Sequence, residues 1–224
     1  MIKNILNLGD AALYCDFGQD VNKEINSSVI KYFNKIQQLK IESINNITPS
    51  YNKLIISFDL KKIKYTELKD IIEKIQIDKD ESFQKKTIKI PICCEKPYSL
   101  DFLRLEEKLK LSREQILKNF FDKKYFCYMT GFIAGMPFLG DLNENMRAQR
   151  LETPRIKVPK GSIGITEQFA NIYTFESPGG WNIIGNTPIK VFDNTKENMP
   201  NLINPGDTVI FEEISKEKYL NYDQ

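Results

Sequence analysis

The feature of this sequence that most constrains its fold is a change in hydrophobic pattern near Tyr125. Before Tyr125, most apolar residues recur at helical spacing or form single strand-like runs. After it, apolar residues come in short runs separated by Pro, Gly and Asn, such as 163–165, 189–192 and 209–211. Short apolar runs bounded by turn residues are typical of β-barrels and β-sandwiches. The sequence therefore predicts an α+β chain whose later part is a barrel or sandwich.

The first third of the chain predicts a small α+β unit. Leu13, Cys15 and Phe17 alternate as in a half-buried strand, and residues 54–58 form an apolar run typical of a buried strand. Two further sets of apolar residues recur at helical spacing, and they comprise Ile25, Val29, Phe33 and Ile36, then Leu68, Ile71, Ile72 and Ile75. Each set predicts an amphipathic helix.

A domain boundary is predicted near Glu81. Residues 78–81 are all charged and have no apolar periodicity. We therefore expect a small N-terminal α+β domain over residues 1–82 and a β-barrel domain over residues 83–224. An edge-like strand ending at Ile92 and a helix are expected at the start of the second domain, and the capping-box pattern Ser112–Gln115 predicts the start of another helix.

The absence of histidine from all 224 residues restricts the chemistry of the chain. It excludes Ser-His and Cys-His nucleophiles and every zinc site that uses histidine. The four cysteines lack the spacing of a zinc ribbon or a redox motif, so they are interpreted as reduced packing residues and no metal site is predicted. Catalysis would depend on carboxylates, Lys, Arg, Tyr, thiols or backbone dipoles.

Charge and hydropathy exclude several classes of partner. Lys and Arg number 32 against 30 Asp and Glu, and both signs are interspersed, so no basic field is available for nucleic acid. The apolar start of the chain is interrupted at Asn7 and Gly9, and no run is long enough to cross a bilayer. We expect a soluble, cytoplasmic protein without nucleic-acid or membrane partners. P-loop and Rossmann glycine motifs are also absent.

The segment Gly131–Gly140 is the first candidate for a binding surface. It places three glycines and a proline among large apolar residues. Glycines let the backbone turn tightly or approach a ligand, and Phe132 and Phe138 could form pocket walls beside Gly131 and Pro137. A glycine-kinked corner of a barrel explains the same pattern.

The segment Glu176–Gly185 is the second candidate and contains the only tryptophan, Trp181. Following Ser177 and Pro178, Gly179 and Gly180 could present consecutive N–H groups as an anion-binding nest beside the indole. A tight turn with a packed tryptophan is the structural alternative. Ser177 is not predicted to be a nucleophile, because no histidine exists to activate it.

Arg155 and Lys157 are the candidate anion ligands between these segments. Strand alternation would put both side chains on one face, which suits a carboxylate or phosphate. A solvated basic edge strand is the alternative. Glu176 and Asp141 are the candidate general bases, with solvated turn carboxylates as the alternative.

These segments, in this order, resemble the family of the 5-oxoprolinase B subunit, also described as the kinase A inhibitor and allophanate hydrolase subunit 1 family. The family patterns G-F-x-P-G-F-x-Y-L-G, T-P-R-x-x-V-P-x-G-S, S-P-G-G-W-x-x-I-G-x-T-P and P-G-D correspond to Gly131–Gly140, Thr153–Ser162, Ser177–Pro188 and Pro205–Asp207. The opening Gly9–Leu13 is also similar, so the resemblance covers nearly the whole chain.

The resemblance implies a fold, a reaction and partners. The implied fold is a small α+β domain followed by a cyclophilin-like β-barrel. The implied activity is the ATP-dependent opening of 5-oxo-L-proline to L-glutamate, together with the homologous C subunit and the separate A subunit of 5-oxoprolinase. ATP is then expected at the assembled complex, and completion of the site by a partner chain stays open.

Two other activities share the same signature and stay open at this point. One is a protein-binding module that inhibits a sensor kinase. The other is half of a biotin-dependent carboxyltransferase acting on urea or allophanate, which would need a carrier chain because no Met-Lys-Met attachment site occurs here.

The sequence departs from the family at two positions where polar groups are expected. Phe120 stands where the family often has a histidine, and Phe169 stands where it has a glutamine. If those groups are catalytic in relatives, this chain has lost or replaced them.

Overall fold

The chain divides into two compact units, Met1–Gln84 and Lys85–Gln224. This computed structural model describes residues 1–77, 85–196 and 199–222. The boundary predicted near Glu81 lies outside the described residues. Each unit combines helices with its own antiparallel or mixed sheet, which confirms the α+β class.

The first unit is a four-stranded antiparallel sheet with two helices. The strands lie in the order β1, β2, β4, β3. Its elements are β1 (Asn4–Asn7), β2 (Ala12–Asp16), α1 (Lys23–Leu39), β3 (Ile44–Pro49), β4 (Lys53–Phe58) and α2 (Tyr65–Glu73). The alternating and helical patterns predict β2, β4 and both helices, which are confirmed. Strands β1 and β3 are not predicted, because neither shows the sustained apolar alternation of a half-buried strand.

The second unit contains a seven-stranded sheet in the order β12, β9, β10, β7, β6, β13, β5. Its strands are β5 (Thr87–Ile92), β6 (Lys124–Thr130), β7 (Pro137–Gly140), β9 (Ser162–Thr166), β10 (Phe169–Ile172), β12 (Asn182–Asn186) and β13 (Thr208–Glu213). Strands β8 (Arg155–Val158) and β11 (Ser177–Gly179) form a separate pair. The helices are α3 (Phe102–Leu109), α4 (Arg113–Phe121) and α5 (Lys216–Leu220).

The seven-stranded sheet curls until its two edge strands meet. The N–H of Cys93, next to β5, donates to the carbonyl of Asn186 at the end of β12 at 2.9 Å, and the N–H of Asn186 donates back at 3.0 Å. A Cβ at Gly185 would lie 2.7 Å from the Cys93 carbonyl oxygen, so this approach requires glycine. The predicted barrel is thus confirmed as a curled sheet closed at one bridge.

Helix α4 begins as the sequence predicts and carries Phe120 into the core. The Ser112 hydroxyl accepts from the Gln115 N–H, and the Gln115 side chain accepts from the Ser112 N–H. Phe120 is fully buried and stacks on Phe211, with a ring-centroid distance of 4.9 Å. Phe120 therefore packs the interior of the second unit.

One predicted run and one helix differ from the sequence interpretation. Residues 189–192 are predicted as a strand, but only Phe192 takes part in an isolated bridge, to Asn201. Two apolar residues of this run, Ile189 and Val191, pack instead against the core. Helix α5 is not predicted, because its five residues are too short to show helical periodicity.

The four cysteines are buried free thiols, as the sequence predicts. Burial raises the pKa of Cys15 to about 12, and it also raises the pKa of Cys94 and Cys127. Thiols that are both inaccessible and protonated act as small apolar packing groups.

The close approach at Gly185 gives a test of barrel closure. Gly185→Ala is expected to lower the free energy of unfolding by about 2 kcal/mol, because the added methyl group meets a backbone oxygen that cannot move without breaking the bridge. The measurement is urea unfolding followed by the fluorescence of Trp181, the sole tryptophan.

Gly180→Ala is the matched control for this test. Its added methyl group would lie 3.6 Å from Pro154, which is an ordinary contact. If both variants unfold at the same urea concentration, the closure does not depend on Gly185.

Candidate functional site

The two Gly/Pro-rich segments meet through aromatic rings. The ring of Phe138 on β7 packs edge-on against Trp181, with centroids 5.6 Å apart and an interplanar angle of 77°. Trp181 is 6% exposed, and Phe138 is half-buried. Beneath them lies a small apolar cluster, which comprises Met136, Val158, Tyr173 and Ile183. Both segments therefore contribute to one surface of the second unit.

The Thr-Pro-Arg and Ser-Pro-Gly-Gly elements are also brought together, as the pair β8 and β11. Ser177 lies opposite Val158, and Gly179 lies opposite Arg155. A Cβ at Gly179 would lie 2.2 Å from the Tyr173 hydroxyl, so glycine is required by packing. We call the surface formed by β8, β11, Phe138 and Trp181 the Arg155 surface.

The anion-binding nest predicted at Gly179 and Gly180 is not present in this geometry. A nest needs a residue with left-handed backbone, and neither glycine has a positive φ. Gly179 instead lies in a strand. Pairing with β8 holds the backbone of this segment in an extended conformation, whereas the sequence alone indicates a turn.

Arg155 is held by a buried carboxylate. Its Nη2 donates to Asp101 Oδ1 at 2.5 Å, and the other oxygen, Oδ2, accepts from the Ile183 N–H at 2.6 Å. The Asp101 side chain is only 6% exposed, whereas the Arg155 side chain is 27% exposed. Arg155 Nη1 and Ser177 Oγ are buried atoms that have no hydrogen-bond partner among the described residues. The guanidinium is thus fixed in orientation and retains unused donors.

Lys157 and Glu176 form an ion pair at the margin of the Arg155 surface. The Nζ of Lys157 lies 3.0 Å from Glu176 Oε1, and the side chains are 74% and 55% exposed. Exposed pairs of this kind are screened by solvent and contribute little to stability. Each of the two cations predicted to bind an anion therefore has a carboxylate partner within the chain.

Tyr173 lies under the Arg155 surface and is not identified from the sequence. It is 1% exposed, and its hydroxyl lies against Gly179. Burial raises its pKa, while Arg150 and Arg155 act in the opposite direction. The hydroxyl is therefore neutral at physiological pH.

Asp141 belongs to a different cluster. Its carboxylate accepts from the Tyr128 hydroxyl at 2.9 and 3.1 Å, directly after β7. Burial, and then the neighbouring Asp141, raise the pKa of Tyr128. The ring of Phe169 packs edge-on against Tyr128 with centroids 5.7 Å apart. Phe169 thus contacts the tyrosine that holds Asp141.

The tip of the first Gly/Pro-rich segment projects outward. Phe132 is 74% exposed with a φ of 70°, whereas Pro137 is buried. The Gly131 N–H donates to the Met136 carbonyl at 3.0 Å, which closes the connection between β6 and β7. Phe132 is predicted to wall a pocket and is instead largely exposed to solvent within this chain.

Asp101, Tyr128 and Tyr173 are the residues that sequence reasoning missed. Asp101 precedes α3 and lies 54 residues from Arg155 along the chain. No local pattern signals a pairing over that separation. Tyr173 is the last residue of the stretch Glu167–Tyr173, which resembles the family's G-G-Q-T-G-I-Y run, and this resemblance is a usable signal.

Within the described residues, no helix is both long and apolar enough to cross a membrane. Among those same residues, no cluster of three or more Cys, Asp or Glu side chains could hold a metal ion.

The curled sheet and the paired motif strands define a domain of the carboxyltransferase type. Residues 3–203 match the family of the carboxyltransferase domain, subdomains C and D. Because this match spans most of the 224 residues, the chain belongs to that family.

Two relatives of known name extend this similarity over the full length. The 5-oxoprolinase B subunit of Bacillus subtilis (strain 168) is 29% identical over 97% of this chain and 95% of its own length. The 5-oxoprolinase B subunit of Haemophilus influenzae is 29% identical over 93% of this chain and 96% of its own length. The resemblance inferred from the motifs is confirmed.

Solved structures of longer proteins contain the same fold. The structure of TTHA0988 has a TM-score of 0.82 at 25% identity, and the match covers 91% of this chain and 40% of that one. The urea amidolyase of K. lactis has a TM-score of 0.79 at 20% identity, covering 97% of this chain and 15% of that one. This chain therefore spans less than half of either protein.

The buried pair at Arg155 can be tested by stability. Asp101→Asn is expected to lower the free energy of unfolding by about 2 kcal/mol, because it leaves the guanidinium without its counter-charge. The loss is smaller than for a fully buried pair, since the Arg155 side chain is partly exposed. Glu176→Gln, which breaks the exposed pair, is expected to change stability by less than about 0.5 kcal/mol. Equal effects in urea unfolding would contradict the difference in burial.

The raised pKa of Tyr128 predicts a pH dependence. The unfolded tyrosine ionises near its ordinary value of 10.0, whereas the folded one resists ionisation. Its contribution to stability is therefore present below pH 10 and is lost as pH rises beyond about 10. Tyr128→Phe is expected to make the fall of urea stability between about pH 9 and 11 shallower than in the wild type. An unchanged slope would contradict burial of this hydroxyl.

Proposed function

We propose that this chain is the B subunit of an ATP-dependent 5-oxoprolinase, which opens 5-oxo-L-proline to L-glutamate together with partner subunits. The full-length similarity to two proteins named as 5-oxoprolinase B subunits carries the proposal. The Arg155 surface supports it, because it combines an oriented guanidinium with an aromatic wall.

The chemistry of the substrate explains why such a surface is useful. An unstrained lactam resists hydrolysis, since its carbonyl is resonance-stabilised and its nitrogen is a poor leaving group. Transfer of the γ-phosphoryl group of ATP to the amide oxygen would activate the ring carbon for attack by water. ADP leaves in that transfer. Once water has added to the ring carbon, the C–N bond breaks, the nitrogen takes up a proton and becomes the amine of glutamate, and the C–O–P linkage is lost as inorganic phosphate.

Arg155 is proposed to bind the substrate carboxylate. Nη2 donates to Asp101, whereas the buried Nη1 has no partner among the described residues and could donate to a carboxylate that enters beside it. Because a guanidinium is planar, fixing one edge fixes the direction of the other donors. Lys157, at the margin of the same surface, is proposed to contribute positive charge once its ion pair with Glu176 has opened.

The other predicted residues are proposed to shape the reacting end. Phe138, with Pro137 behind it, and Trp181 would form the apolar wall. Because no nest is present, a single N–H, that of Gly180, would donate to the developing oxyanion, with the Ser177 hydroxyl as a further donor. Glu176, paired with Lys157, is the proposed base at this surface, and Asp141, which Tyr128 holds in a different cluster, is the alternative base.

Partner chains are part of the proposal. The homologous C subunit and the separate A subunit of 5-oxoprolinase are proposed to complete the enzyme, in the cytoplasm where ATP is available. ATP is assigned to the assembled complex rather than to this chain alone. Gly131 and the exposed Phe132 would then contact a partner or the substrate, since the Phe132 side chain is 74% exposed.

A second candidate function has one observation in its favour. The fold of this chain also occurs within a urea amidolyase. Half of a biotin-dependent carboxyltransferase would share the Arg155 surface but would need a biotinylated carrier chain. Carboxylation of urea by the purified complex, with no turnover of 5-oxoproline, would favour this alternative.

The test is to purify the tagged chain with its partners from its own cell and measure glutamate formation. Conversion of 5-oxoproline is expected only when ATP is present. Arg155→Lys, which keeps the charge but loses the planar fork, and Gly180→Val are each expected to lower kcat/KM at least about tenfold.

Arg147→Ala is the matched control, since Arg147 is exposed and lies outside the Arg155 surface. Wild-type rates in Arg155→Lys and Gly180→Val would contradict the site assignment. Inhibition of a sensor kinase by the chain, with no turnover of 5-oxoproline by any complex, would contradict the function.

A further inference from the structure

We propose that a cleft on the second unit, separate from the Arg155 surface, binds a small phosphate-bearing ligand. The cleft has a volume of about 370 Å³, which is at the lower end of the range for small-molecule sites. Its lining includes Lys160, Gly161, Asn186, Thr187, Lys190 and Tyr219. None of its lining residues is assigned to the Arg155 surface. We call it the Lys160 cleft.

The floor of the Lys160 cleft is made of the turn at Lys160 and Gly161 and of the chain that leaves β12 at Thr187. Gly161 has a φ of 81°, and its N–H donates to the Tyr173 carbonyl at 2.7 Å. The Thr187 N–H donates to the Gly161 carbonyl at 2.9 Å. A Cβ at Gly161 would lie 2.6 Å from both Asn186 Oδ1 and the Thr187 carbonyl oxygen. The floor is therefore rigid, and it is built where the motif segments Thr153–Ser162 and Ser177–Pro188 meet.

Asn186 fixes the wall of the cleft. Its Nδ2 donates to the Lys160 carbonyl at 2.9 Å, and its Oδ1 accepts from the Tyr219 hydroxyl at 2.8 Å. The Tyr219 ring also packs against Tyr98, with centroids 4.3 Å apart. The backbone that carries Lys160 and the helix that carries Tyr219 are thus set before any ligand binds, which lowers the entropic cost of binding.

The charge of the cleft favours an anion. Lys160 is exposed and has no carboxylate partner among the described residues. Lys190 pairs with Asp193 at 2.7 Å but remains 41% exposed. The lining contains no Asp or Glu among the described residues, while Thr187 and Tyr222 supply hydroxyl groups; the Tyr219 hydroxyl proton is already donated to Asn186. Two ammonium groups with hydroxyl donors suit the multiple oxygens and charge of a phosphate better than a single carboxylate.

The test uses the full chain without partner subunits, so its outcome does not depend on the proposed 5-oxoprolinase activity. Pyrophosphate, inorganic phosphate and 5-oxoproline are titrated separately by calorimetry. Pyrophosphate is expected to bind saturably at one site, more tightly than inorganic phosphate. Its addition is also expected to shift the NMR amide signals of Gly161 and Thr187.

Variants locate the binding site. Lys160→Gln and Lys190→Gln are each expected to weaken pyrophosphate binding about tenfold, and Lys160→Arg is expected to restore it. Lys108→Gln, which removes an exposed lysine from α3, is the matched control and is expected to bind like the wild type.

Three results would overturn the proposal. They are the absence of saturable pyrophosphate binding, equal affinity in Lys160→Gln and Lys108→Gln, and tighter binding of 5-oxoproline than of pyrophosphate at this cleft. Arg155→Lys lies outside the cleft and is expected to retain pyrophosphate binding, which separates failure of this site from failure of the Arg155 surface.

Discussion

The backbone bridge between Cys93 and Asn186 is the contact on which the architecture of the second unit depends. Seven strands curl into a closed shape only if the edge strands β5 and β12 come within hydrogen-bonding distance. Gly185 permits that approach, because any side chain there would meet the Cys93 carbonyl. Once the edges are joined, the Asn186 side chain is placed to hold the Lys160 backbone and Tyr219. Closure of the sheet thus also builds the Lys160 cleft.

A second constraint orders the Arg155 surface. The buried Asp101 joins the start of α3 to β12 through the Ile183 N–H and to β8 through Arg155. A buried carboxylate is costly unless it is paired and hydrogen-bonded, and both of its oxygens are used here. The same contacts that satisfy Asp101 orient the guanidinium. The Asp101 side chain therefore both joins these elements and sets the direction of the Arg155 guanidinium.

The family signature is explained largely by packing. Gly179 makes room for the Tyr173 hydroxyl and Gly185 for a carbonyl oxygen, so these positions would be glycine whatever the chain binds. Phe120 is likewise a packing residue, since it is fully buried and stacks on Phe211. Glycines that are required by packing identify the fold. They do not identify the reacting groups, which have to be inferred from the side chains that surround them.

The sequence by itself determined the α+β class, the strands β2, β4 and β13, the capping box of α4 and the family, because these depend on local periodicity and on ordered motifs. It also identified Arg155, Trp181 and Gly179 as candidate site residues. Only the tertiary structure decided that Asp101 holds Arg155, that Tyr128 holds Asp141, and that the Gly179 segment is a strand rather than a nest. These outcomes depend on pairings between residues far apart in the chain, and no local pattern of side chains encodes which distant partner will be adjacent once the sheet has closed.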